Sequence, residues 1–281
     1  MTIAPSTPAA PAPTLSRVVD LDRYPIDRLD GPRAAAMVAF CRASLAFEGA
    51  CQLPGFLRPE AVAQLVDEAA RKRERAHRTD DVHNVHLTTV PEGAGPDDTS
   101  ALLQHSSKSA IAWDLIDPDS PLRVAYESEE LTAFLRRALG TSELHRYDDP
   151  LGSASVMVFS EGDELGWHFD RSPFAVTVML QPAARGGAYE YHHDLKDTGA
   201  TDATGDTDAA IRAALRDERS DRITLPNEPG TLSMFRGQTS MHRVTPVEGD
   251  RPRINAVLAY SPRPGDRLNT LTRELFYGRR D

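Results

Sequence analysis

The chain reads as a mostly β fold, an antiparallel sandwich or barrel, set behind a helical N-terminal part, an α+β arrangement overall. Three observations predict it. From about residue 142 onward, the short β-branched or aromatic runs "ASVMVFS", "FAVTVMLQP", "GAYEYHH", "GTLSMFRG" and "RINAVLAYSP" are punctuated by Gly and Pro, as strands separated by turns are. Before that point three stretches carry helical periodicity with recognisable starts and stops. No internal repeat stands out, which sets solenoids aside.

In chain order, residues 1–15 ("MTIAPSTPAAPAPTL") are rich in Pro and Ala, have no basic n-region and build no apolar h-region, so they read as a disordered leader rather than a signal peptide. Residues 16–281 are expected to form one domain, with a helical part over about 16–141 and a β core over about 142–265. "GPRAAAMVAFCRASLAFEG" predicts a helix near 31–47 that stops at glycine, and "ACQLPGFL" a short strand. "RPEAVAQLVDEAARKRERAH" restarts a helix, with Pro59 in its first turn and cations in its last. The polar stretch 78–111 predicts loops with a strand across "VHLTTV", and "SEELTAFLRRALG" at 128–140 a capped helix. The acidic, threonine-rich segment 194–222 reads as an insertion at a barrel mouth, built around a short helix.

Composition narrows the function classes. A net charge of −10 with no basic stripe argues against nucleic acid, whose phosphates the surface would repel. No stretch reaches the roughly 18 to 20 continuous apolar residues of a membrane span. Two cysteines, Cys41 and Cys51, are too few for a disulfide framework, so a reducing cytoplasm is the expected home.

The chemistry concentrates in "GWHFDRSP". Residues two apart on an extended segment point the same way, so His168 and Asp170 can reach one ion while Phe169 turns to the opposite layer. His242, between one predicted strand and the next, supplies a third ligand. Two histidines and a carboxylate on one octahedral face leave positions open for a cosubstrate and O2 on Fe(II). An H-x-D pair is common by chance among nine histidines, so the pair alone decides little. Arg253, eleven residues past His242, changes that, because it shares a strand face with Asn255, Val257 and Ala259. A guanidinium inside a barrel needs a carboxylate, and the distal carboxylate of a 2-oxo acid chelating the iron fits. Arg251 has the same parity and is the fallback.

These residues resemble a known family. H-F-D, a long spacer and "MHRVTPVEGDRPRINAVLAYSPRPG" resemble the Fe(II)/2-oxoglutarate-dependent oxygenases, and the wider match over about 150–262 is similar to their branch of free amino-acid halogenases and hydroxylases, notably those of lysine-like substrates. The resemblance implies a double-stranded β-helix (jelly roll, cupin-like) with the N-terminal helices packed on the barrel. It implies His168, Asp170 and His242 as iron ligands and Arg253 as the clamp on 2-oxoglutarate, with ascorbate as a supporting reductant. Halogenases of that branch carry a small residue where the carboxylate would ligate. Asp170 therefore predicts hydroxylation.

Around this centre, Thr177 and Gln181 are polar residues in or beside an apolar strand, and each either satisfies a neighbour or contacts cosubstrate. Glu164, Asn255, Trp167 and Arg171 are the candidate substrate contacts. Their plainer readings are a solvated turn, a strand-network bond, a core wall and a mouth residue shared with Ser172. The loop holding His83, Asn84 and His86 is a candidate lid. His192 and His193 are expected to be exposed and without a metal role. A cupin-like metal-binding barrel without 2-oxoglutarate turnover, an oxygenase of another small molecule and a desaturase remain as alternatives.

Overall fold

The computed structural model describes residues 14–196 and 207–280, so the leader falls outside them but for its last two positions, as does part of the 194–222 insertion. The chain opens with α1 (Leu15–Val18) and α2 (Pro32–Glu48), which starts at a proline and ends at Gly49 in the left-handed region. Strand β1 (Ala50–Leu53) and helix α3 (Pro59–Lys72) follow as predicted. Two strands, β2 (His77–Asn84) and β3 (Leu103–Ile111), then pair antiparallel from His77–Ala110 to Asn84–Leu103. The strand expected across "VHLTTV" is a turn instead. Buried Asn84 accepts the His86 and Thr88 N–H groups and donates to the Thr88 and Ser100 carbonyls, so its side chain ends the ladder before the apolar residues can extend it.

Helices α4 (Pro121–Glu127) and α5 (Glu129–Leu139) start on the Ser120 and Ser128 hydroxyls, and α5 stops at Gly140. The β core holds β4 (His145–Arg146), β5 (Ala154–Phe159), β6 (Leu165–His168), β7 (Ala175–Gln181), β8 (Arg185–Gly186) and β9 (Tyr189–His192). After α6 (Thr207–Leu215) come β10 (Ile223–Leu225), β11 (Leu232–Phe235), β12 (Met241–Val244), β13 (Val247–Glu248), β14 (Arg253–Leu258) and β15 (Tyr260–Ser261), and α7 (Thr270–Tyr277) closes the described chain.

Among the described residues the main sheet runs β1-β11-β7-β14-β5-β3-β6-β12-β9-β10, antiparallel throughout, with β2 on β3. The sheet curls into a half-barrel. Phe235 of β11 meets Tyr189 and Tyr191 of β9 and His242 of β12, so strands distant along the ladder touch across the interior. Period-two alternation sorts the two faces. Val156, Val158, Val176, Val178, Ile254 and Ala256 pack against Leu45, Leu65, Leu122 and Phe134 of the helices, each large side chain contributing about 1.5–3 kcal/mol. The intervening residues, Met157, Thr177, Arg253 and Asn255 among them, face inward. The N-terminal helices therefore back the barrel, while α7 lies on the opposite face against Ala110 and Met157.

Candidate metal centre

His168 closes β6 and His242 lies in β12, and the two are direct partners across the antiparallel ladder. Their rings stand 4.1 Å apart between centroids. Asp170 comes just past β6, where its N–H donates to the Gly237 carbonyl at 2.9 Å. Its Oδ1 is 3.5 Å from each histidine Nε2, and one ligand atom from each of the three residues lies within 4.8 Å of the others.

The donor chemistry fits a divalent ion. His168 Nδ1 donates to the Gly166 carbonyl at 2.8 Å and His242 Nδ1 to the Ser240 carbonyl at 3.0 Å, which leaves both Nε2 lone pairs turned toward the carboxylate. Burial, with His242 alongside, pulls His168 down to about 4, so its imidazole is neutral at physiological pH. Burial would raise the Asp170 carboxyl, but the two histidines hold it well below the usual carboxylate range. Two imidazole nitrogens and a carboxylate oxygen form a facial set.

Next to the triad, Tyr189 stacks on His242 at 5.5 Å and Phe235 meets it edge-on at 4.9 Å. Both line a cavity shared with Thr177, Met179, Arg253 and Asn255. Arg253 is 5% exposed, donates through Nε to the Gly187 carbonyl and through Nη1 to Asn255 Oδ1, and has no carboxylate partner among the described residues. Burial lowers its pKa to about 10, which still leaves it charged.

The other sequence candidates divide. Arg251 donates to the Ala183 carbonyl and lines a separate surface pocket with Arg58 and Gln181, so the fallback clamp faces away from the site. Gln181 is engaged there too, donating to the Pro252 carbonyl. Glu164 accepts from His105, which also meets Asp80, so this carboxylate belongs to an exposed surface network. Trp167 is buried under the Arg243 guanidinium and packs with Phe169 against Ala210, Ile211 and Ala214 of α6. The insertion helix thus braces the metal-bearing strands from outside. Arg171 is exposed and donates to the Leu87 carbonyl.

His192, expected to be exposed, is buried against Asp221, while His193 is partly exposed beside Asp194. The ladder pairing with Met241 and the Trp167 ring draw His192 inward, and neither histidine joins the metal cluster. The 83–86 segment does fold onto the site. His83 stands edge-on to His168 at 5.9 Å, and His86 stacks on Phe169 at 6.1 Å. Tyr189, Phe235 and Gly237 are the site residues that the sequence reading missed. Only the ladder pairings β9–β12 and β11–β7 bring the two aromatics to His242 and the cavity.

The family profile described as Halogenase D matches residues 34–275. No curated protein matches the chain. Among solved structures it is similar to the epimerase SnoN in complex with Fe3+, alpha ketoglutarate and nogalamycin RO (19% identity, 80% of this chain and 84% of that one, TM-score 0.53). It is also similar to AviO1 from Streptomyces viridochromogenes Tue57 (16%, 82% and 95%, 0.52) and to an oxidoreductase of the 2OG-Fe(II) oxygenase family from Burkholderia pseudomallei (16%, 80% and 91%, 0.50). At these identities the likeness is one of fold. Because the profile spans most of its length and its jelly-roll architecture is that of these oxygenases, the chain belongs to the Halogenase D family and is an enzyme built on the Fe(II)/2-oxoglutarate oxygenase fold.

Proposed function

We propose that the enzyme hydroxylates an unactivated C–H bond of a free amino acid, lysine-like by preference, or a similar small metabolite, with Fe(II), 2-oxoglutarate and O2, releasing succinate and CO2. The observation that carries this reading is Arg253, a buried cation in the cavity lined by Thr177, Asn255 and the two rings that pack on His242, without a carboxylate among the described residues to neutralise it. A bare metal-binding barrel has no use for it. His168, Asp170 and His242 would hold the iron, which supplies the oxidising chemistry when bound. Arg253 would take the distal carboxylate of 2-oxoglutarate, with Thr177 and Asn255 completing that end of the cavity. Tyr189 and Phe235 pack against His242 and keep water from its ring.

Asp170 argues for hydroxylation in a family named for halogenation. Its carboxylate fills the position and brings the negative charge that a halide would otherwise supply. We further read residues 16–281 as one domain acting in a reducing cytoplasm. Cys41 and Cys51 are both free and buried, and no helix among the described residues is long and apolar enough to cross a membrane.

The test is mass spectrometry on purified protein with Fe(II), 2-oxoglutarate, ascorbate and O2 against pooled free amino acids in the presence of chloride. One added oxygen coupled to succinate is expected. A chlorinated product overturns the hydroxylase assignment, and succinate without a modified amino acid overturns the substrate class. Absence of succinate favours the metal-binding barrel.

A further inference from the structure

A second buried cation shares the inner face with Arg253. Lys108 lies in β3, and alternation along that strand puts Ser106, Lys108 and Ala110 on one face while Ile111 turns to the helix-backed core. Ala110 sits opposite Met157, and Met157 opposite Asn255, the residue that accepts from Arg253. With adjacent strands about 4.8 Å apart, Lys108 and Arg253 rise from the same surface on the order of 10 Å from each other. Toward the metal ligands, the Ser106 hydroxyl bonds His83 Nε2 at 2.6 Å, and His83 is the ring that stands edge-on to His168.

Lys108 is 7% exposed. Among the described residues its Nζ has no hydrogen-bond acceptor and no carboxylate within ion-pair distance, and the Phe276 ring of α7 lies 5.2 Å from it. Asp163 acts on it only from a distance, being bonded to Ser107 on the opposite strand face, to Arg78 and to the Ser160 N–H. Burial alone draws the lysine down to about 8. The side chain is largely withdrawn from water and its ammonium has no anion among the described residues, so an arriving carboxylate meets a charge that solvent screens little.

We propose that Lys108 anchors the carboxylate of the substrate, leaving Arg253 to the cosubstrate. This rests on the reading of the site as an oxygenase of small amino-acid-like molecules. The two cations keep the two carboxylates apart on one surface, so that neither ligand occupies the other's place. Lys108 is thus a specificity residue for acids over their neutral analogues.

The test uses full-length protein loaded with Fe(II) and saturating 2-oxoglutarate without oxygen, titrated calorimetrically with two acid and amide pairs: L-lysine with L-lysinamide, and butanoate with butanamide. The wild type is expected to bind each acid at least tenfold more tightly than its amide. K108M is expected to lose that preference, K108R to keep part of it, and both to bind 2-oxoglutarate within twofold of wild type, which reports an intact fold. Acid preference for butanoate without any for L-lysine keeps the Lys108 anchor and overturns the amino-acid reading. Acid preference that survives in K108M, or is absent from the wild type, overturns the anchor.

Discussion

Asp170 can occupy its position because residue 237 has no side chain. A Cβ on Gly237 would lie 1.9 Å from Asp170 Oδ2, closer than any contact allows, while the backbone bond between the two residues holds the carboxylate in place. Gly237→Ala should therefore push the carboxylate out while leaving both histidines where they are. A fall in Fe(II) affinity of about 10–100-fold is expected, read by anaerobic metal titration. Arg253→Ala removes charge-assisted bonds of about 1.5–3 kcal/mol, so the KM for 2-oxoglutarate should rise about 10–100-fold and that of the substrate far less. Steady-state kinetics with each varied in turn decides it, and an equal rise in both denies Arg253 the clamp role. H-x-D, His242 and Arg253 could be found in the sequence because period two and a known ligand chemistry constrain them. Tyr189 and Gly237 could not, since nothing local distinguishes a tyrosine or glycine that touches a site from one that does not.

The elements around the site depend on a few buried ties. Asp149 accepts the Leu151 and Gly152 N–H groups on one oxygen and, on the other, the Leu268 N–H and the Arg273 guanidinium, which pins α7 across the β2–β3 edge. Asp149→Asn leaves Arg273 without its anion, and breaking such a pair costs about 3–5 kcal/mol. Urea unfolding should show that loss, and hydrogen exchange should show faster opening confined first to α7. Helices with clear ends, Pro32–Glu48 and Glu129–Leu139, were legible to within a residue from their proline or serine starts and glycine stops. Strand β2 was not: in "HRTDDVHN" only Thr79 and Val82 favour a strand, and pairing with β3 along its whole length makes it extended.

For the whole molecule, two buried bases tie stability to pH with the same sign. His168 sits at about 4 when folded against an ordinary 6.5, so the unfolded chain takes up a proton that the folded one refuses. That contribution is fully present above pH 6.5 and is lost as pH falls toward 4, up to about 3 kcal/mol for metal-free protein. Lys108, at about 8 against 10.5, loses its contribution between those values, so at pH 7 the fold bears the whole desolvation penalty. In the absence of substrate, Lys108→Met is expected to stabilise the protein at pH 7 by about 1–3 kcal/mol, with the gain fading as pH approaches the unfolded lysine value. Denaturation of wild type and variant across that pH range checks both signs.

The sequence by itself determined the helix-then-strand order, the three metal ligands as candidates and the preference for Arg253, because these follow from periodicity, caps and coordination chemistry within short segments. Only the tertiary structure decided which polar residues serve the interior. It turned Glu164 and Arg251 outward, drew His83, Tyr189 and Lys108 inward, and set α6 behind the metal strands. Those outcomes depend on which strands become neighbours when the sheet curls, and strand partnership is a long-range property that no local pattern encodes.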